Sequence, residues 1–156
     1  MKEHLYQISL EWTGNTGQGT SNYRSYDRAY EIQVEGKPVI FGSSDPSFRG
    51  DRTKYNPEEL FVASISSCHM LWYLHLCAEA KVVTLDYQDS AIGKMSETKD
   101  GSGRFTEVIL KPEITIAPQS NLEQAKQLHQ EAHKFCFIAN SVNFSVLCQP
   151  SISLSS

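Results

Sequence analysis

Two cysteines stand where a thiol could do redox work. Cys68 falls in the middle of "NPEELFVASISSCHMLWYLHLCAEA", Asn56 to Ala80, and Cys136 falls near the end of a second helical stretch. A thiolate that attacks the O–O bond of a peroxide becomes a sulfenic acid, and a neighbouring thiol condenses with it to a disulfide. That chemistry needs two cysteines within disulfide reach and a cation that holds the first as a thiolate. The other two cysteines fit it less well. Cys77 comes nine residues after Cys68, so on an ideal helix it points about 180° away. Cys148 sits in a strand-like run before Pro150 and reads as structural. Equally, all four could be small buried hydrophobes, since free cysteine is among the most buried residue types.

Burial alone raises a thiol pKa, so a reactive Cys68 needs a positive neighbour. His69 diverges from it by about 100° on a helix. The arginines are Arg24, Arg28, Arg49, Arg52 and Arg104. In "YRSYDRAY", Arg24 and Arg28 share one face with Tyr26 and Tyr30 if the segment is a strand. A guanidinium there could both lower the thiol pKa and bind a peroxide oxygen. A solvated strand face is the alternative. A metal set of Cys68, His69, His133 and Cys136 would supply two thiolates and two imidazoles. Adjacent helix positions diverge, however, and no C-x-x-C is present, so neither metal nor cofactor is expected. His129 and His133 are i,i+4 without an H-E-x-x-H frame and read as one solvated helix face.

These side chains must be positioned by a small set of elements. "HLYQISLEW" reads as a first strand and "YRSYDRAYEIQV" as a second, with "EGK" turning it into "PVIF". A Ser-, Asp-, Pro- and Gly-rich loop follows. The long helix then opens on Asn56 as N-cap, Pro57 at the first helical position, and Glu58 and Glu59 at the positive end of the dipole. Glu59 is spaced to close a capping box on Asn56. The helix is expected to reach about Ala80. "VVTLDYQDSAIGKM" and "RFTEVILKPEITIA" are β-rich. A second helix starts near Ser120, whose spacing to Glu123 is again that of a capping box. Leu122, Ala125, Leu128, Ala132 and Phe135 give it one apolar side, and Asn140 is placed for a left-handed cap. "VNFSVLCQP" and "SISLS" close the chain as strands. This order predicts an α+β fold with mainly antiparallel pairing, in a single domain over 1–156.

Composition narrows the partners. The chain has 156 residues, 40% apolar and 21% charged, with a net charge of −4. That is an ordinary globular balance, and the absence of a basic block argues against nucleic acid. "MKEHLYQISLEW" has no apolar core of a signal peptide. His69, His75 and Glu79 interrupt the best apolar run, so no membrane span is expected. A cytoplasmic protein follows as the expectation, and four cysteines in that compartment point to a transient rather than a structural disulfide. The long helix has no clean polar face, so a partner subunit is expected to cover it in a homodimer.

"NPEELFVASISSCHM" resembles the signature of the OsmC/Ohr family, the osmotically inducible and organic hydroperoxide resistance proteins. "EAHKFCFIANSVNFSV" resembles the family's second cysteine motif, A-H-x-x-C, and the order of elements matches along nearly the whole chain. The resemblance implies an intertwined homodimer of antiparallel sheets with long central helices. It implies a thiol-dependent peroxidase that prefers organic hydroperoxides and is recycled by an external dithiol. It makes Cys68 the peroxidatic and Cys136 the resolving cysteine, joined as a Cys68–Cys136 disulfide, and Glu58 the glutamate that orients the activating arginine. Better-known members carry that arginine in the first hairpin loop. Here the loop reads "TGNTGQGT" and the nearest candidates, Arg24 and Arg28, come later. Glu58 lies roughly 15 Å from Cys68 along one helix, so Glu58 and the arginine are expected to serve the Cys68 of the other subunit. Phe61, Ile65, Met70, Leu71, Trp72 and Phe137 would favour an apolar substrate. A non-enzymatic dimer that binds an apolar ligand or senses oxidant is the competing expectation.

Overall fold

The turn expected at "EGK" forms. Gly36 takes φ 77 and the Lys37 N–H closes the turn on the Val34 carbonyl at 3.0 Å, a backbone that favours glycine. It joins β2 (Tyr30–Gln33) to β3 (Ile40–Gly42), with β1 (Ser9–Trp12) on the other side of β2 and both pairings antiparallel. The computed structural model describes all 156 residues, in two compact units, Met1–Leu60 and Phe61–Ser156. This meander belongs to the first.

Strands in the first unit are shorter than the sequence predicts. Tyr23 to Ala29 forms turns and irregular chain instead of strand. The Asn15 side chain accepts from the Gly17 and Gly19 N–H groups, and the Ser25 hydroxyl donates to the Gly19 carbonyl. Short polar side chains that satisfy nearby backbone compete with ladder pairing. Arg24 and Arg28 therefore sit on a loop and do not share a strand face.

The long helix, α1 (Pro57–Glu79), starts as expected. Asn56 Oδ1 accepts from the Glu59 N–H at 2.8 Å, and the Glu59 carboxylate accepts from the Asn56 N–H at 3.1 Å. Its end is equally defined. Lys81 takes φ 60, Val82 N–H reaches the Cys77 carbonyl at 2.9 Å and Lys81 N–H reaches that of Ala78 at 3.2 Å, the bonding of a Schellman motif. By length and composition α1 could cross a membrane, contrary to expectation: one helix of this length spans the hydrocarbon thickness, and the three polar residues do not break it. The same criteria admit a core helix. Its buried residues are Ile65, His69, Tyr73 and Cys77, a single i,i+4 stripe. The rest of the helix is exposed or half-buried in the chain.

The second unit is built on three long runs that each break once. β4 (Thr84–Asp89) continues as β5 (Ile92–Glu97), β6 (Gly103–Leu110) as β7 (Pro112–Ile116), and β8 (Ser145–Cys148) as β9 (Ser151–Leu154). The breaks divide them into two sheets, β4-β7-β9 and β5-β6-β8. Pro112 and Pro150 lie at two of the breaks and donate no backbone hydrogen bond. Asp89 ties the break to α1: one carboxylate oxygen accepts from the Ser66 hydroxyl, the other from the Lys111 N–H at 2.7 Å. β4/β7 and β5/β6 are antiparallel, but β6/β8 and β7/β9 are parallel. The return through α2 (Leu122–Phe135) brings the last run in parallel.

Two cores result. Ile65 of α1 packs with Val108 and Leu110 of β6; Tyr73 and Cys77 pack with Ile114 and Ile116 of β7 and with Ala125 and Ala132 of α2. Each fully buried aliphatic side chain contributes about 1.5–3 kcal/mol. His69 lies between them on the stripe, level with the strand breaks. α2 itself begins one residue later than predicted. Asn121 caps it through the Gln124 N–H, because the Ser120 hydroxyl accepts from the Val83 N–H. Its buried side is Ala125, His129 and Ala132, with Phe135 half exposed. Asn140 makes no left-handed cap; the chain leaves α2 in extended geometry at Cys136, and the Asn140 amide donates to the Lys134 carbonyl at 2.9 Å.

Candidate active site

Cys68 and Cys136 come together. Their thiols lie within hydrogen-bonding reach of one another, and both are free. Cys68 is half-buried on α1, whereas Cys136 is fully buried at the C-cap of α2. Burial pushes the Cys136 thiol up to about 11; the Ala139 N–H opposes the rise and the neighbouring Cys68 adds to it. A buried, protonated sulfur beside a more accessible one fits a resolving role better than an attacking one. Trp72 stacks on Phe135 at 5.2 Å and meets Phe137 edge-on at 5.7 Å. Leu71 is 62% exposed and Phe137 66%, so an apolar surface flanks the Cys136 segment.

α1 and α2 run antiparallel through three rungs. Cys68 meets Cys136, His69 Nε2 stands 3.0 Å from His129 Nδ1, and the Tyr73 hydroxyl donates to the Ala125 carbonyl at 3.2 Å. Cys68 and His69 are neighbours in sequence, and the helix turn sends them to different partners. The metal set of Cys68, His69, His133 and Cys136 that the sequence argued against is split in the structure. His69 groups instead with His129 and with Cys148, whose Sγ is 3.6 Å from His69 Nε2 and 3.7 Å from His129 Nδ1. The three ligand atoms all lie within 4.8 Å of one another.

One sequence expectation is corrected here. His129 is 3% exposed and no part of a solvated face; only His133 is exposed. Cys148 lies in a strand, as expected, and its Sγ also faces the two imidazoles. The periodicity held the signal: Ala125, His129, Ala132 and Cys136 recur at four- and three-residue steps, the same pattern that marks an apolar side. Burial pulls His69 down to about 4, with His133 adding and Asp89 opposing, and pulls His129 down to about 3. Both rings are neutral at neutral pH. Burial pushes Cys148 up to about 12, Asp89 adding to it.

In the first unit, Arg28 is held by its own loop. Its guanidinium donates to the carbonyls of Tyr26 and Tyr23 and lies over both rings, at 4.0 and 4.5 Å. Arg24 has only its backbone N–H engaged, by Asn22 Oδ1. Neither arginine pairs with Glu58: the four ion pairs of the chain are all formed by lysines. Glu58 Oε2 is buried without a hydrogen-bond partner. Burial raises the Tyr30 hydroxyl pKa, with Glu58 and Glu59 adding to it.

The fold is one that known relatives share. Residues 50–150 match the family model described as OsmC-like protein. The chain belongs to the OsmC-like family. An OsmC-like protein of unknown function from Vibrio cholerae O1 biovar eltor is 30% identical, with a TM-score of 0.85 over 97% of this chain and 100% of the other. An organic hydroperoxide resistance protein from Elizabethkingia anophelis shares the fold at 22% identity and TM-score 0.68, over 99% and 100% of the two chains. The organic hydroperoxide resistance protein OsmC of Legionella pneumophila does so at 20% and 0.66, over 97% and 99%. No curated protein matches.

Proposed function

We propose that the protein is a thiol-dependent peroxidase that reduces organic hydroperoxides to alcohols. The observation that carries this reading is the pairing of a half-buried Cys68 with a buried Cys136. The Cys68 thiolate attacks the terminal oxygen of the hydroperoxide, the O–O bond breaks, and the alkoxide leaves and takes a proton. Cys68 is now a sulfenic acid. The Cys136 sulfur displaces its oxygen as water, forming the Cys68–Cys136 disulfide, and an external dithiol reduces that by exchange. The aromatic surface of Trp72, Phe135 and Phe137 favours apolar hydroperoxides over hydrogen peroxide.

The working unit in this reading is a cytoplasmic homodimer of one OsmC-like domain per chain, acting without nucleic acid, membrane or cofactor. The second subunit covers the apolar side of α1 that the chain leaves exposed. Its Glu58 orients Arg24 or Arg28 toward the Cys68 across the interface. The unpartnered, buried Glu58 Oε2 is the acceptor such a guanidinium would satisfy.

The test is turnover of cumene and tert-butyl hydroperoxide with dithiothreitol, beside Cys68→Ser and Cys136→Ser. Wild type should turn over and Cys68→Ser should not. Equal, slow consumption by wild type and Cys68→Ser would favour the second reading, a non-enzymatic binder or oxidant sensor. The capture of Arg28 between Tyr23 and Tyr26 is the observation on that side.

A further inference from the structure

The peroxidase reading leaves three buried or half-buried groups unused. They are His69, His129 and Cys148, at the level where the strand runs break and between the two cores. We propose that His69 Nε2, His129 Nδ1 and Cys148 Sγ form a three-coordinate site for one soft d10 metal ion, Cu+. The inference is independent of the redox pair.

Spacing carries it. The three donor atoms stand 3.0, 3.6 and 3.7 Å apart. Around one metal ion with bonds of about 2.0 Å to nitrogen and about 2.3 Å to sulfur, trigonal donors lie roughly 3.5 Å apart for the nitrogens and roughly 3.7 Å for nitrogen and sulfur. The nitrogens need to part by only about half an ångström. Hydrogen bonding alone uses the cluster poorly. One of the facing nitrogens must carry a proton for the other, and sulfur is a weak partner for either.

The ligand types and their holding agree with that. Both imidazoles are buried, and a metal ligand must be the neutral ring. The Tyr73 ring lies on His129, with centroids 3.9 Å apart and 12° between planes, while its hydroxyl is tied to Ala125. That fixes the His129 ring on α2. His69 is fixed by the buried stripe of α1, and Cys148 by its pairing with Leu110 in the β6/β8 ladder. The three ligands thus come from three elements whose positions the two cores set. A thiolate with two imidazoles selects copper or zinc over harder ions. The cluster offers three protein donors; Zn2+ would need water as a fourth ligand, and with His69 and His129 buried the three-coordinate ion, Cu+, is favoured. An incoming cation displaces the proton of the Cys148 thiol.

The experiment uses the Cys68→Ser/Cys136→Ser protein, which removes the other thiol pair as a copper ligand. It is reduced, kept anaerobic and titrated with Cu+ against a chromophoric Cu+ chelator, and in parallel with Zn2+. One Cu+ per chain is expected, with X-ray absorption showing two nitrogens and one sulfur. Adding Cys148→Ser or His129→Gln should weaken binding by at least about 100-fold, with circular dichroism checking the fold. Absence of stoichiometric Cu+ binding overturns the proposal, as does binding that survives Cys148→Ser. Tighter binding of Zn2+ overturns the assignment to Cu+. If the added substitutions unfold the chain, the absorption spectrum of the parent still decides: a coordination shell without nitrogen sinks the site. Loss of peroxidase activity would not touch it, and failure to bind copper would not touch the peroxidase.

Discussion

The thiols of Cys68 and Cys136 face each other across α1 and α2, the first half-buried at mid-helix and the second sealed at a helix end. One equivalent of cumene hydroperoxide should therefore yield a single intramolecular disulfide between them, read by peptide mapping under non-reducing conditions. A disulfide involving Cys77 or Cys148 would overturn the role assignment. In Cys136→Ser, Cys68 should stop at sulfenic acid and go on to sulfinic acid with excess peroxide, which intact mass will show.

Resolution should depend on pH. Burial pushes the Cys136 thiol up to about 11, so its thiolate fraction grows about tenfold for each pH unit below that value. The disulfide should form faster as pH rises, and the sulfenic acid should live longest in mild acid. Dimedone trapping of wild type after one equivalent of peroxide should fall steadily between about pH 6 and about pH 8. Trapping that rises with pH would show that Cys136 is not the group limiting resolution.

The cross-subunit role of Glu58 has a test by mixing. Glu58→Gln and Cys68→Ser chains should each be poor peroxidases alone. Unfolded together and refolded, they should regain activity, because the intact Glu58 of one chain then meets the intact Cys68 of the other. No recovery would place Glu58 and its arginine on the same chain as the thiol they serve. Arg24→Ala and Arg28→Ala, assayed for kcat/KM, tell which guanidinium takes part.

Both ends of α1 make stability predictions. Asn56→Ala removes the acceptor for the Glu59 N–H and should cost about 1 kcal/mol in a urea titration. Lys81→Gly should raise stability by about 1 kcal/mol, since lysine holds a left-handed backbone there that glycine adopts freely.

Local signals were legible, and tertiary ones were not. Asn56, Pro57 and Glu59 spelled the start of α1, and Gly36 the hairpin turn, because each acts within four residues. The family motifs pointed to Cys68 and Cys136. Ser120 misled because its hydroxyl is drawn away by Val83, a contact no local pattern reveals. Arg24 and Arg28 leave the expected strand face because the Asn and Ser groups around them fold the chain into turns. His129 reads as solvated because histidine is a polar residue type, although its position falls on the buried side of α2. The strand breaks carried prolines at Pro112 and Pro150, yet their alignment across three runs depends on pairing register.

The antiparallel rungs between α1 and α2 have a thermodynamic consequence for turnover. Two of the rungs are noncovalent, and oxidation converts the third into a covalent tie that closes most of the second unit into a loop. Such a tie removes chain entropy from the unfolded state worth roughly 4 kcal/mol, before any strain is subtracted. The oxidised protein should thus resist denaturant better than the reduced one. By reciprocity, whatever the bond adds to the fold, the fold adds to the bond, and the reductant that resets Cys68 must overcome that same free energy on every cycle.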